Sequence, residues 1–268
     1  DMLRKESMEE MPHLVFTISD MNGNVIRELR TRAKKGINRI AWDLKYLSLN
    51  PLPLKLDKGA YNPLKKFRPA YPVLPGKYQV YLSKLVKGKL SRLTEARSFE
   101  VKRLQLGSLP AKDQKALDRF HRKLITMSGV LNGAVQTQRE LMAKTLQIKQ
   151  SLLLKPELNR HFYPKLRKIE LALREIDFKF NGHRAKASRE EIPPSHMPLL
   201  WRLGAISYSR MLSLSKPAAN MVNSMNIIRE ELKPLLTKLK ELKDILDQLD
   251  MKMTQKGAVW TSGRIPEL

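Results

Sequence analysis

Cysteine is absent from the 268 residues, which removes disulfide scaffolds, thiolate catalysis and cysteine-ligated zinc together but leaves the compartment open. No apolar run approaches the ~18 residues a membrane-spanning helix requires, and no signal-peptide pattern is found. Neither phosphate-cradling pattern, GxGxxG or GxxxxGK followed by Ser or Thr, occurs, and the GxSxG nucleophile elbow is missing too. Acidic side chains are scarce: 26 Asp and Glu face 51 Lys and Arg, a formal charge of +25. That balance raises the question of polyanionic partners. The excess, however, spreads almost evenly along the chain, whereas a dedicated nucleic-acid module concentrates it on one helix or loop. The five histidines, His13, His121, His161, His183 and His196, include no pair at i, i+4 and no metal-ligand spacing. The chain begins at Asp1 without an initiator Met, which reads as a processed product or a fragment of something longer.

What is present is periodicity of two kinds. From Met221 through Met225, Ile228, Leu232, Leu235, Leu239, Leu242, Leu246 and Leu249 to Met253, apolar residues recur alternately four and three apart, the stripe of one long helix. Leu117, Phe120, Leu124, Met127, Leu131, Ala134, Leu141, Ile148 and Leu152 repeat the rhythm upstream, broken only by Gln138 and Thr145. Two helices of about forty residues, each about 60 Å long at 1.5 Å per residue, form an antiparallel pair whose stripes meet in an internal seam. Ser108 and Pro110 open the first and Pro156 ends it; a shorter helix runs to Phe180 and closes at Asn181-Gly182. A short segment from Pro198 to Ile206 precedes the last long helix, which Pro234 interrupts.

The N-terminal part has a period of two. His13 to Ser19 alternates like a half-buried strand, and Asp20-Met21-Asn22-Gly23-Asn24 supplies an Asn-Gly hairpin turn before Val25 to Leu29 returns. Further strands are predicted over Ile37–Leu44, Lys77–Leu82 and Ala96–Val101. Together they describe an immunoglobulin- or fibronectin-like antiparallel β-sandwich over residues 12–107, followed by an all-α bundle over 108–255 and a tail over 256–268. Residues 47–75 hold Pro51, Pro53, Pro63, Pro69, Pro72 and Pro75 and read as a long loop laid over a surface. It is either a contact loop or a tolerated insertion.

Candidate chemistry is sparse. Asp20-Met21-Asn22-Gly23-Asn24 resembles the start of a calcium loop, but an EF-hand needs Gly at its sixth position and an acid at its twelfth, where Val25 and Thr31 stand. Asp20 and Asp43 are the best-placed carboxylates for a glycosidase pair, which would have to converge to about 5–9.5 Å. Three basic clusters could meet phosphates or sulfates: Arg30, Arg32, Lys34 and Lys35; Lys65, Lys66 and Arg68, with Phe67 or Tyr71 able to stack; and Arg184 with Lys186. Each also fits a solvated turn.

The succession Phe16-Thr17-Ile18-Ser19-Asp20, Asn22-Gly23, Val25-Ile26-Arg27, Gly36-Ile37-Asn38-Arg39, Trp42-Asp43-Leu44-Lys45-Tyr46 and Pro75-Gly76-Lys77-Tyr78-Gln79-Val80 resembles the region after the propeller in bacterial secreted proteins with BNR or sortilin-like repeats. These are often labelled glycosyl hydrolases. The tail from Gly257 to Pro266 is similar to the end of that family. The resemblance implies a secreted, periplasmic or cell-surface bacterial module. Its partner would be a β-propeller that precedes it, or an envelope protein, with acidic polysaccharide a further candidate and nucleic acid ranked behind. It implies no cofactor and no transferable catalytic residue. It makes Trp42 and Tyr78 core anchors and Trp260 the residue that pins the tail. Three functions follow as expectations: a non-catalytic interaction module, a polyanion-binding protein of the polysaccharide or ribonucleoprotein kind, or a glycoside hydrolase relative.

Overall fold

The computed structural model describes residues 2–52, 62–67, 69–104, 113–183, 196–211 and 215–263. It consists of a small antiparallel β region followed by a C-terminal helical region. The chain divides into two compact units, Asp1–Ile125 with Leu214–Lys216 and Thr126–Ser213 with Pro217–Leu268. The expected cap at Ser108 and Pro110 and the cluster at Arg184 and Lys186 lie outside the described residues, as does Arg68.

The first unit opens with a short helix, α1 (Met2–Ser7), and continues through β1 (His13–Asp20), β2 (Val25–Thr31), β3 (Lys45–Leu47), β4 (Pro69–Pro72), β5 (Gly76–Val86), β6 (Lys89–Arg92) and β7 (Arg97–Val101). Strand β1 lies between β2 and β5, and the opposite edge of β5 is shared by β7 along Gly76–Val80 and β6 along Ser83–Val86. Strands β3 and β4 pair separately, Lys45 with Pro72 and Leu47 with Pro69. The β1–β2 turn forms because Asp20 Oδ1 accepts the backbone N–H groups of Asn22 and Asn24 at 3.0 and 2.9 Å, with Gly23 at φ 83°. Between β5 and β6 the two-residue loop Lys87-Gly88 has both φ angles positive, 50° and 72°, the sense that matches strand twist. One apolar cluster draws on both sheets: Ile26, Tyr46, Val73, Tyr78 and Val101, joined by Ile125, with Trp42 and Phe99 at its margin. Trp42 meets Tyr78 and Phe99 edge-on at 5.7 and 6.1 Å.

The strand expected over Ile37–Leu44 does not form; the first strand after Thr31 is Lys45–Leu47. Asn38 competes with pairing, its side chain accepting from Lys34 N–H and donating to the Lys34 and Gly36 carbonyls. Leu44 adopts φ 56°, which no extended strand tolerates, and Ile37 is 96% exposed.

Helix α2 (Gln114–Ser151) begins in the first unit, and a 3-10 turn at Leu152–Leu154 ends it. Within the second unit, α3 (Pro156–Asn181) starts with Pro156 in its first turn, where the missing N–H costs nothing. Helix α4 (Leu199–Met211) and α5 (Ala219–Gln255) complete the region. The apolar stripe of α5 is buried at Met225, Ile228, Leu232, Leu239, Leu242, Leu246, Leu249 and Met253, and α5 packs on α3 and α4. In the second unit the α2 stripe is buried at Leu131, Ala134, Leu141 and Ile148, and a fully buried Leu or Ile contributes about 1.5–3 kcal/mol. Its two polar breaks are buried as well and have partners: Gln138 Nε2 donates to the Leu173 carbonyl at 3.0 Å, and Thr145 Oγ1 to that of Leu141 at 2.7 Å. Pro234 sits on the exposed side of α5, which continues through it.

The tail has one side chain buried in the second unit. Trp260 leaves 54% of its surface exposed, while Thr261 is buried and its hydroxyl reaches Asp250 Oδ1 at 3.4 Å.

Candidate functional site

The end of β2 and its connection to β3 carry four of the basic candidates. Arg30 is tied to Glu28 at 3.1 Å. Arg32, Lys34 and Lys35 are exposed, as is Arg39, and none of these four has an ion-pair partner among the described residues. The Asn38 side chain bridges this turn through Lys34 and Gly36. Such a row of cations can neutralise an extended anion in a salt-dependent way.

Lys65, Lys66 and Phe67 lie on the other loop. The β3–β4 register brings the residues after Leu47 and those before Pro69 out at the same end of the pair. Exposed Leu49 and Leu52 therefore leave from the end at which exposed Lys65, Lys66 and Phe67 return. That end is mixed apolar and cationic. Tyr71, offered as a stacking residue, instead stacks on buried His121 at 4.5 Å.

Three titratable clusters were not foreseen. In the first unit the Tyr46 hydroxyl donates to Asp118 Oδ1 at 2.6 Å and accepts from Arg122 at 2.9 Å, while Arg122 Nε donates to Asp118 Oδ2 at 2.9 Å. Burial, followed by the bond to Asp118, pushes the Tyr46 phenol well above its ordinary range, so it serves as a neutral donor. Only the Asp118–Arg122 spacing of i, i+4 was visible beforehand.

In the second unit, buried Glu170 receives Lys149 Nζ at 2.6 Å, Arg167 at 2.8 Å and Arg174 at 2.8 Å. The Lys149 and Arg167 bonds outweigh burial, with Arg174 adding to them, and pull its carboxyl down to about 2. Farther along, Lys144 bridges Asp247 at 3.0 Å and buried Asp250 at 3.3 Å, and Lys243 holds Asp247 at 2.6 Å. These carboxylates serve as ion-pair partners that join helices.

The two carboxylates considered for glycoside chemistry are engaged locally. Asp20 holds its turn through Asn22 and Asn24; burial works against its ionised form, but the hydrogen bonds from both asparagines prevail and lower its pKa. Asp43 accepts from Lys45 N–H and faces Arg27 at 3.9 Å. His13 is buried with Nδ1 on the Met11 carbonyl, and His196 meets Glu231 at 2.8 Å. Among the described residues no three His, Asp or Glu side chains gather as a metal would require, and no helix is long and apolar enough to cross a membrane. Compared with protein-family models, curated proteins and solved structures, the chain matches none.

Proposed function

We propose that this chain is a non-catalytic interaction module, an immunoglobulin- or fibronectin-like β-sandwich followed by an antiparallel helical bundle. Its place would be the C-terminal part of a secreted or envelope propeller protein. The observation that carries the reading is the loop end of the β3–β4 pair, where exposed Leu49, Leu52 and Phe67 accompany exposed Lys65 and Lys66. Apolar side chains rimmed by cations suit a protein partner whose own rim is acidic, and burying them against it would supply about 25 cal/mol per Å². The engagement of Glu170, Asp118, Asp247 and Asp250 in ion pairs supports an architectural role for these carboxylates. The test is affinity capture from envelope and secreted fractions with the intact chain and with Leu49→Asp/Phe67→Asp. A propeller or envelope protein recovered by the intact chain and lost with the double variant is the expected result. Equal recovery by both rejects the docking surface.

A second reading, polyanion binding, rests on Arg32, Lys34, Lys35 and Arg39, which have no ion-pair partner among the described residues, and on the formal charge of +25. It requires retention on heparin with steep salt dependence, reduced by Arg32→Gln/Lys34→Gln/Lys35→Gln. Elution at low salt, unchanged in the triple variant, would exclude it. The glycoside hydrolase alternative has weaker support, because Asp20 and Asp43 each have local partners.

A further inference from the structure

Helices α2 and α3 enclose an open groove of about 540 Å³ in the second unit, within the ~300–1,000 Å³ range of small-molecule sites. Met142 and Leu146 of α2 and Phe178 of α3 line it, together with Arg139, Arg174 and Asp177. The pattern is the same on both helices. Arg139 stands one turn before Met142 and two before Leu146, and Arg174 stands one turn before Phe178, so each helix offers a guanidinium beside an apolar surface. Leu146 and Phe178 are 44% and 46% exposed, more than a packed seam between helices leaves open.

The charge around the groove is unbalanced. Arg139 has no ion-pair partner among the described residues. Arg174 shares the single Glu170 carboxylate with Lys149 and Arg167, leaving a local excess of positive charge. Asp177, the one carboxylate among the described lining residues, accepts from the Asn181 amide at 2.7 Å and keeps its charge, set against the two guanidiniums of Arg139 and Arg174.

We propose that this groove binds a small amphipathic anion, an aromatic or acyl body bearing one carboxylate or sulfonate. The apolar body would lie on Met142, Leu146 and Phe178 and the anionic head between Arg139 and Arg174. The groove belongs to the second unit and the β3–β4 residues to the first, and the proposal stands or falls independently of the module reading.

The probes are 8-anilinonaphthalene-1-sulfonate and its uncharged counterpart N-phenyl-1-naphthylamine, titrated by fluorescence into the full chain. The sulfonate is expected to bind saturably at one site and to be displaced by octanoate. Leu146→Gln should weaken both probes about tenfold, equivalent to about 1.4 kcal/mol. Arg139→Gln should weaken the sulfonate to a similar degree and leave the neutral probe unchanged. Both positions are exposed, and far-ultraviolet circular dichroism checks that the variants remain folded. Met251→Gln, at another exposed apolar position, should alter neither affinity. Absence of saturable sulfonate binding overturns the proposal, as does sulfonate binding unchanged in Leu146→Gln or Arg139→Gln, or an equally tight neutral probe.

Discussion

Replacing Glu170 by Gln tests whether the three-cation cluster holds the helical region together. The side chain keeps its shape, but Lys149, itself only 16% exposed, loses the charge that compensates it. In the folded protein the carboxyl titrates at about 2, against 4.5 for an ordinary glutamate, with Lys149 the largest cause and Arg167 next. At about 1.4 kcal/mol for each tenfold in proton affinity, that difference corresponds to about 3 kcal/mol at full weight. Arg167 and Arg174 are 45% and 62% exposed, so water screens their share and about 2 kcal/mol is the expected cost near neutral pH. The sign follows from the direction of the shift. A depressed carboxyl adds stability that is fully present above pH 4.5 and disappears as the pH falls through about 2. Urea unfolding followed at 222 nm should therefore show the native chain and Glu170→Gln separated at pH 7, still separated at pH 5, and converging toward pH 2. A difference that persists unchanged at pH 2, or none at pH 7, would refute the electrostatic account and reduce Glu170 to a packing residue.

Four further outcomes are expected. Gly182→Ala should destabilise α3 by at least about 1 kcal/mol, because Gly182 has φ 76° and an added Cβ would lie 2.6 Å from Pro198 Cγ; thermal melting measures it. Tyr46→Phe should cost about 1–3 kcal/mol by removing a hydroxyl that bonds Asp118 and Arg122, read as increased hydrogen exchange in the first turns of α2. Pro234→Ala should raise the melting temperature, with a ceiling of about 3 kcal/mol set by the helix penalty of proline, since the site is exposed and α5 runs through it. Asp250→Asn should loosen the tail, because both Lys144 and Thr261 lose a charged acceptor; limited proteolysis after Lys256 should then quicken.

The helices were legible because each carries its signal over many turns. The residues of the α5 stripe from Met225 to Met253 are buried in the structure almost without exception, and Pro156 and Gly182 mark boundaries for reasons of backbone chemistry alone. Strands carry less information. Ile37 to Leu44 alternates as well as β1 does, yet one asparagine bridging Lys34 and Gly36 and one positive φ at Leu44 suffice to keep it out of a sheet. Alternation reports a preference, and in a segment of eight residues a local hydrogen-bonding competitor can outweigh it.

The candidate sites were less legible because they depend on residues from separate elements. Spacing makes Arg167, Glu170 and Arg174 readable as an exposed ion-pair ladder along one helix face, a motif worth a few tenths of a kcal/mol per pair. What changes its meaning is Lys149, 21 residues earlier on another helix, which meets the carboxylate at 2.6 Å and leaves it buried. The same holds for the groove: Arg139, Met142 and Leu146 read alone as an ordinary helix face, and Phe178 as a surface aromatic. Only the α2–α3 packing gives them a shared concavity. An isolated cation on a helix favours solvent. A cation such as Arg139, beside apolar surface and with no ion-pair partner among the described residues, favours a ligand that supplies both an anion and a hydrophobic body.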